Sequence, residues 1–405
     1  MRMAVSRLAL AGLGLTAAAT AIALASARAA EWGDALALEP PQWEFDNYEI
    51  RLGGRAAGAL FTSSASAGPA YPGGYDNTGV SALAAANVRV QRTLDTGMVL
   101  GARSDFLLYH DDLSSDNYNS NTVQRLYLFT QTGFGRVEIG QQDGAAYTLG
   151  LTGPIIDQEV TLESRNISLF RNPVTRKDFA GFFTQVTNVQ SSSNYAKINY
   201  VSPRLLGIQV GASFTPNTVR SPLPWTGNPS DDPDQQHAIW EVAASYTGYF
   251  SNIALGLSAG YAHGRLKNRT PGFENLYDWA LGAQLAYTIS DIKLSVGGAY
   301  RGTNSYLLDI QQVRNDASTR MVHLSAMAEK GSWLLGLEFS NADENGPVDY
   351  RITGYQAAAG YRINTNMQIT AGWQWYNYRR NIGTFYNGSP AIDVNAGFLK
   401  LSYEL

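Results

Sequence analysis

The chain has 405 residues, with 30 basic and 34 acidic side chains, 16% charged residues and no cysteine. Absent cysteine excludes a disulfide framework, Cys-ligated metals and thiol nucleophiles, and a mean hydropathy of −0.19 excludes a bundle of transmembrane helices. The 44% hydrophobic content with 40 Gly and 23 Tyr suits a surface divided between lipid and water, and no composition break separates domains.

In chain order, Arg2 and Arg7 flank the start of an uncharged apolar run, Leu8 to Ala25, which leads into the small-x-small site Ala27-Arg28-Ala29. This reads as a secretory signal peptide over residues 1–29, cut between Ala29 and Ala30. An N-terminal membrane anchor fits less well, because the run is rich in Ala and Gly and meets a cleavage site at once. Removing Arg2, Arg7 and Arg28 takes the 30 basic residues to 27 against 34 acidic, a net charge of −7. That balance argues against a nucleic-acid partner. Residues 30–46, with Trp32, Trp43 and Phe45, read as a periplasmic arm, and 47–405 as one barrel domain.

From Asn252 to Tyr261 the residues alternate strictly. Ile253, Leu255, Leu257, Ala259 and Tyr261 share one parity, and Asn252, Ala254, Gly256, Ser258 and Gly260 the other. Successive strand side chains point to opposite faces, so this segment is greasy on one side and wet on the other. The pattern recurs about sixteen times in segments of roughly ten residues, as in a membrane barrel with its apolar face outside. Short connections (95–97, 133–135, 204–207, 250–251, 289–291, 330–331, 364–366) alternate with long polar ones (62–78, 111–120, 143–192, 216–236, 264–276, 302–318, 342–350, 379–391). The count predicts sixteen antiparallel strands, all-β, with both barrel ends on the short-turn side. Gly397, Leu399, Leu401, Tyr403 and Leu405 form a last strand that closes the barrel against the first, Tyr48 to Phe61. Tyr and Trp concentrate near strand ends, as interfacial girdles require.

Parity also selects lumenal cations. With Tyr48, Ile50 and Leu52 facing lipid, Glu49, Arg51 and Arg55 face inward; Val88 and Val90 likewise put Asn87, Arg89 and Gln91 inside. Arg103 with Asp105, and Arg125, complete the basic wall. A charge on the lipid face near midplane would cost about 2–4 kcal/mol. The longest connection, 143–192, carries Asp157, Glu159 and Glu163, then Arg165, Arg171, Arg176 and Lys177. A connection of that length in a compact domain is usually functional. Within it, 178–190 reads equally as a short strand or a helix against the wall.

Three stretches resemble the general porins of Gram-negative bacteria: Gly133-Phe134-Gly135-Arg136-Val137-Glu138-Ile139-Gly140-Gln141-Gln142, Ala196-Lys197-Ile198-Asn199-Tyr200-Val201-Ser202-Pro203, and the C-terminal strand. Two features depart from that family: Leu405 stands where Phe is usual, and the long loop lacks Pro-Glu-Phe-Gly-Gly-Asp. The resemblance implies a homotrimeric outer-membrane porin in contact with lipid and lipopolysaccharide, without cofactor or metal. Its third loop would fold into the barrel, so that Asp157, Glu159 and Glu163 face the basic wall of Arg51, Arg55, Arg89, Arg103 and Arg125 across a constriction. Small hydrophilic solutes and ions would then diffuse passively through a transverse field.

Two alternatives are a solute-selective porin with a binding site at the constriction, and a structural or adhesive barrel plugged by the long loop. An enzyme is not expected: His110, His237, His263 and His323 show no metal-ligand spacing. Asp231, Asp232, Asp234, Asp343 and Glu344 read as solvated loop carboxylates.

Overall fold

The computed structural model describes residues 37, 39–110, 122–163, 186–218, 236–266, 271–304, 313, 318–346 and 349–405. The signal peptide expected over 1–29, the Ala29–Ala30 cleavage site and residues 30–36 and 38 of the arm lie outside them, as do loop residues 164–185.

The described strands begin with β1 (Gln42–Phe45), β2 (Tyr48–Ala65), β3 (Tyr75–Thr93), β4 (Val99–His110), β5 (Val123–Thr132) and β6 (Gly135–Gln141). A single helical turn, α1 (Ala145–Thr148), precedes β7 (Ala196–Val201), β8 (Ile208–Asn217), β9 (Gln236–Phe250) and β10 (Ile253–Leu266). Then come β11 (Tyr277–Ile289), β12 (Ile292–Thr303), β13 (Ser318–Lys330) and β14 (Trp333–Asn345). The last are β15 (Tyr350–Arg362), β16 (Met367–Arg380) and β17 (Ala391–Glu404). From β2 onward each strand pairs antiparallel with the next, and β17 returns to β2 from Val394↔Ala65 to Glu404↔Arg55. The result is a closed barrel of sixteen strands, as the alternation predicted.

Closure differs from the sequence expectation in one respect. The last strand covers β2 only as far as Gly54, where Leu405 N–H donates to Gly54 O at 2.8 Å. The remaining edge, Tyr48 to Leu52, is covered by β1, which pairs from Gln42↔Arg51 to Phe45↔Tyr48, and Leu52 N–H donates to Pro41 O at 3.0 Å. An uncovered strand edge leaves donors and acceptors unmet. The segment read as an arm thus completes the hydrogen bonding of the first barrel strand.

The outward parity is apolar and exposed, with Leu60, Val80, Leu128, Leu281, Leu335 and Leu337 among its residues. Aromatic pairs cluster toward the two ends, where amphipathic rings suit the water interfaces. Trp333 and Tyr361 meet at 4.8 Å beside a short turn. Phe214–Trp240, Trp279–Tyr300 and Tyr355–Trp375 lie in the loop-side half at 4.4, 5.3 and 5.5 Å.

The inner face is not uniformly polar, contrary to the simplest reading of the alternation. Phe61, Leu83, Leu107, Phe398, Tyr376 and Tyr378 point inward and are buried. Their partners come from the long loop: Ile156 and Val160 pack with Phe61, Leu83 and Phe398, and Leu162 packs with Ile352, Tyr376 and Tyr378. Each such burial contributes about 1.5–3 kcal/mol, so the barrel interior holds a real apolar core.

The turn Leu206-Gly207 carries Gly207 at φ +85, where an added Cβ would stand 2.5 Å from Thr247 O. Gly207→Ala is expected to destabilise the barrel by about 1–3 kcal/mol, read as a lower urea midpoint in refolded protein.

Candidate functional site

The described residues of the loop between β6 and β7 follow much of the inner wall. Just after β6, Asp143 Oδ2 accepts from Arg125 Nε at 2.8 Å. Helix α1 lies on β8–β10: Ala145 N–H donates to Ser213 Oγ at 3.2 Å and Ala146 N–H to Glu241 Oε2 at 3.1 Å. Lumen-facing glycines make the track. A Cβ at Gly211 would sit 3.0 Å from Leu149, one at Gly260 3.1 Å from Ala146, and one at Gly336 2.7 Å from Ile156. Leu151 N–H then donates to Ser258 Oγ at 2.9 Å on β10, and Gln368 on β16 holds Ile156 O at 2.9 Å.

The tip reaches the barrel seam. Lys400 of β17 donates to Asp157 Oδ1 and Oδ2 at 2.7 and 2.6 Å and pairs also with Glu159. Arg55 of β2 meets Glu159 at 2.8 Å and donates to Gln158 Oε1 at 2.6 Å. Asp157 Oδ1 also accepts the Glu159 and Val160 N–H groups at 2.9 Å each, shaping the turn. Two carboxylates and two cations therefore neutralise one another across loop and wall.

The loop returns over β15–β13. Gln356 holds Val160 O at 2.9 Å, and Glu338 accepts from Thr161 Oγ1 at 2.5 Å and Leu162 N–H at 2.9 Å. Glu163 accepts from Thr187 N–H at 3.0 Å and faces His323 Nδ1 at 3.3 Å, while His323 Nε2 lies 3.2 Å from Glu338. Burial pushes the Glu163 carboxyl above its usual range; His323 and the Thr187 hydrogen bonds oppose the shift, and Glu338 adds to it. Farther on, Arg301 Nη1 donates to Val186 O at 3.1 Å and grips Asp278 through two hydrogen bonds of 2.8 Å. At the exit from the loop, Lys197 donates to Gln142 O and Ser193 O at 2.6 and 2.5 Å.

The sequence-chosen residues fall into separate groups. Asp157, Glu159 and Glu163 are buried at the loop–wall seam, turned toward the barrel rather than standing as free charges in the passage. Their physical reason is pairing: an isolated buried carboxylate is costly, and Lys400, Arg55 and His323 supply partners. Arg51, Arg89 and Arg103 are adjacent in register on β2, β3 and β4. Arg125 bridges Asp105 at 3.5 Å and Asp143 at 2.8 Å, while Arg55 belongs with the loop tip.

Lys400, His323, Glu338, Arg301, Asp278, Lys197 and Arg136 were missed. Parity could have found several: Lys400 lies between lipid-facing Leu399 and Leu401, and Glu338 beside lipid-facing Leu337. Among the described residues no group of three or more His, Asp or Glu is placed to hold a metal ion.

Residues 14–398 match a family described as Gram-negative porin. No curated protein matches significantly. Among solved structures, an anion-selective porin from Comamonas acidovorans aligns with a TM-score of 0.57 and 12% identity, over 88% of this chain and 100% of that one. OmpF of Salmonella typhi in complex with daunomycin gives 0.54 and 14%, over 90% and 100%. In-vitro folded OmpT of Vibrio cholerae, in trimer form, gives 0.51 and 14%, over 89% and 100%.

Lys400→Met strands buried carboxylates, which typically costs about 3–5 kcal/mol. The loop tip should detach, raising single-channel conductance in planar bilayers. The Glu163 node has a pH sign. With a carboxyl raised on docking, stabilisation is full below the ordinary carboxylate pKa and fades as pH rises through the raised value. Conductance should therefore fall on acidification in the wild type and vary less in Glu163→Gln, measured across the acidic range.

Proposed function

The chain belongs to the Gram-negative porin family and forms an outer-membrane channel for passive diffusion, and we propose that its third loop sets the width of that channel. In this reading small hydrophilic solutes and ions cross between the docked loop and the basic wall of β2–β6. The single observation that carries it is the placement of 142–163 and 186–195 inside a closed barrel, held by ion pairs and apolar pegs on many strands. The loop carboxylates act as clamps on the passage's lining, and the wall arginines carry its charge. A plugged or adhesive barrel is the less favoured account.

The channel assembles as a homotrimer through a smooth outer patch. Gly54↔Ala86, Ala56↔Ala84 and Gly58↔Ala82 are paired in register on β2 and β3, with open space where a Gly58 side chain would stand. Small residues permit close approach of two barrels in lipid.

Conductance of refolded protein in a planar bilayer under a salt gradient tests the channel. Stepwise openings are expected, and silence from demonstrably folded barrels would overturn it. Gly58→Trp should shift light-scattering mass from trimer toward monomer while leaving the barrel folded; an unchanged mass would place the subunit contact elsewhere.

A further inference from the structure

On the turn side of the wall β2–β6, three arginines each have a carboxylate two residues away on their own strand face. Arg51 pairs with Glu49, Arg103 with Asp105 at 2.7 Å, and Arg136 with Glu138 at 2.6 Å. On β3 the corresponding neighbours of Arg89 are Asn87 and Gln91, and Gln91 is itself spent donating to Glu49 at 2.6 Å. Arg89 has no ion pair and no hydrogen bond among the described residues, and its Nε is buried without an acceptor.

That cation, without a carboxylate on its own strand, is held in place. Its guanidinium carbon lies 5.0 Å from the centroid of the Phe129 ring, and that of Arg136 lies 3.9 Å from the same centroid. Phe129 is 4% exposed and lies over Gly101, where an added Cβ would stand 2.4 Å from its ring. An aromatic face attracts and orients guanidinium groups. Arg136 and Arg51 repel Arg89 electrostatically, while Glu49 and Tyr127 partly offset them. With Arg51 and Arg136 each matched by its own carboxylate, the positive charge of Arg89 is the surplus that favours an incoming anion. Arg51, its register partner, lies four residues along β2 from Arg55, about 13 Å of strand. The cluster is therefore separate from the docked loop tip.

We propose that Arg89, flanked by Arg51 and Arg136, is a transient docking site for small oxyanions on the short-turn side of the lumen. The planar guanidinium fork matches two oxygens presented together by a carboxylate or a phosphate. The site captures such a solute through the Nη groups of Arg89 after it has passed the loop. It rests on the channel reading and adds a solute class to it.

The test is chloride current through full-length refolded channels in planar bilayers, with succinate or inorganic phosphate added from each side in turn. A saturable reduction of current is expected, at lower concentration from the short-turn side. Block by succinate alone would assign the site to carboxylates, by phosphate alone to phosphates, and by both to oxyanions generally; each supports it. Arg89→Gln should raise the half-blocking concentration about tenfold, the scale of a lost charge-assisted hydrogen bond. Gln91→Glu, which supplies the carboxylate that β3 lacks, should do the same. Heat-modifiable gel mobility checks that both variants fold. Conducting wild-type channels unaffected by either anion, or equal block of Arg89→Gln and wild type, would overturn the site. Absence of any wild-type current would instead overturn the channel reading.

Discussion

In hydrocarbon, a backbone N–H or C=O without a partner costs several kcal/mol, and no water is present to relieve it. Everything in this structure follows from meeting that demand around a full circle. The β17–β2 pairing does most of the closing, from Val394↔Ala65 to Glu404↔Arg55. Leu405 carries it one residue farther, to Gly54. Below that point β2 would present a bare edge, and β1 occupies it. The barrel seam is thus made by two separate segments meeting on one long strand.

Closure creates the second constraint, an interior too wide for wall side chains alone to fill. The long loop fills part of it, and its docking reproduces the economy of a soluble core inside a membrane protein. Apolar pegs (Ile156, Val160, Leu162) enter between inward-facing aromatic and aliphatic residues. Lumenal glycines let the loop backbone approach closely, and paired charges satisfy what is left. Lys400 is 1% exposed, with Asp157 and Glu159 around its ammonium. Such a pair contributes little net stability relative to apolar packing, but it fixes position, because either partner alone would be a buried unpaired charge.

The same accounting separates the two kinds of charge in the lumen. Charges at the loop seam cancel in place and shape the passage. On the turn-side wall Arg51, Arg103 and Arg136 are matched by carboxylates on their own strands, whereas Arg89 of β3 has none. A pore's selectivity depends on charge that remains available to solutes, so a single unmatched arginine outweighs several matched pairs.

What the sequence determined by itself was the barrel: strand number, the alternation of short turns and long loops, and which residues face lipid. These are local properties, because side-chain direction along a strand has period two and the lipid boundary enforces it on every strand alike. That logic placed Arg51, Arg89 and Arg103 inside, and could equally have placed Lys400 and Glu338 there. Only the tertiary structure decided what those inward residues touch. Asp157 and Lys400 are 243 residues apart in the chain, and Glu163 meets His323 far along it, on β13. Periodicity has no bearing on such meetings, which depend on where a non-repeating loop comes to rest. The carboxylates Asp157, Glu159 and Glu163, which the family resemblance set facing the basic wall across a constriction, are buried in pairs with Lys400, Arg55 and His323, because a buried carboxylate is tolerated only with a partner.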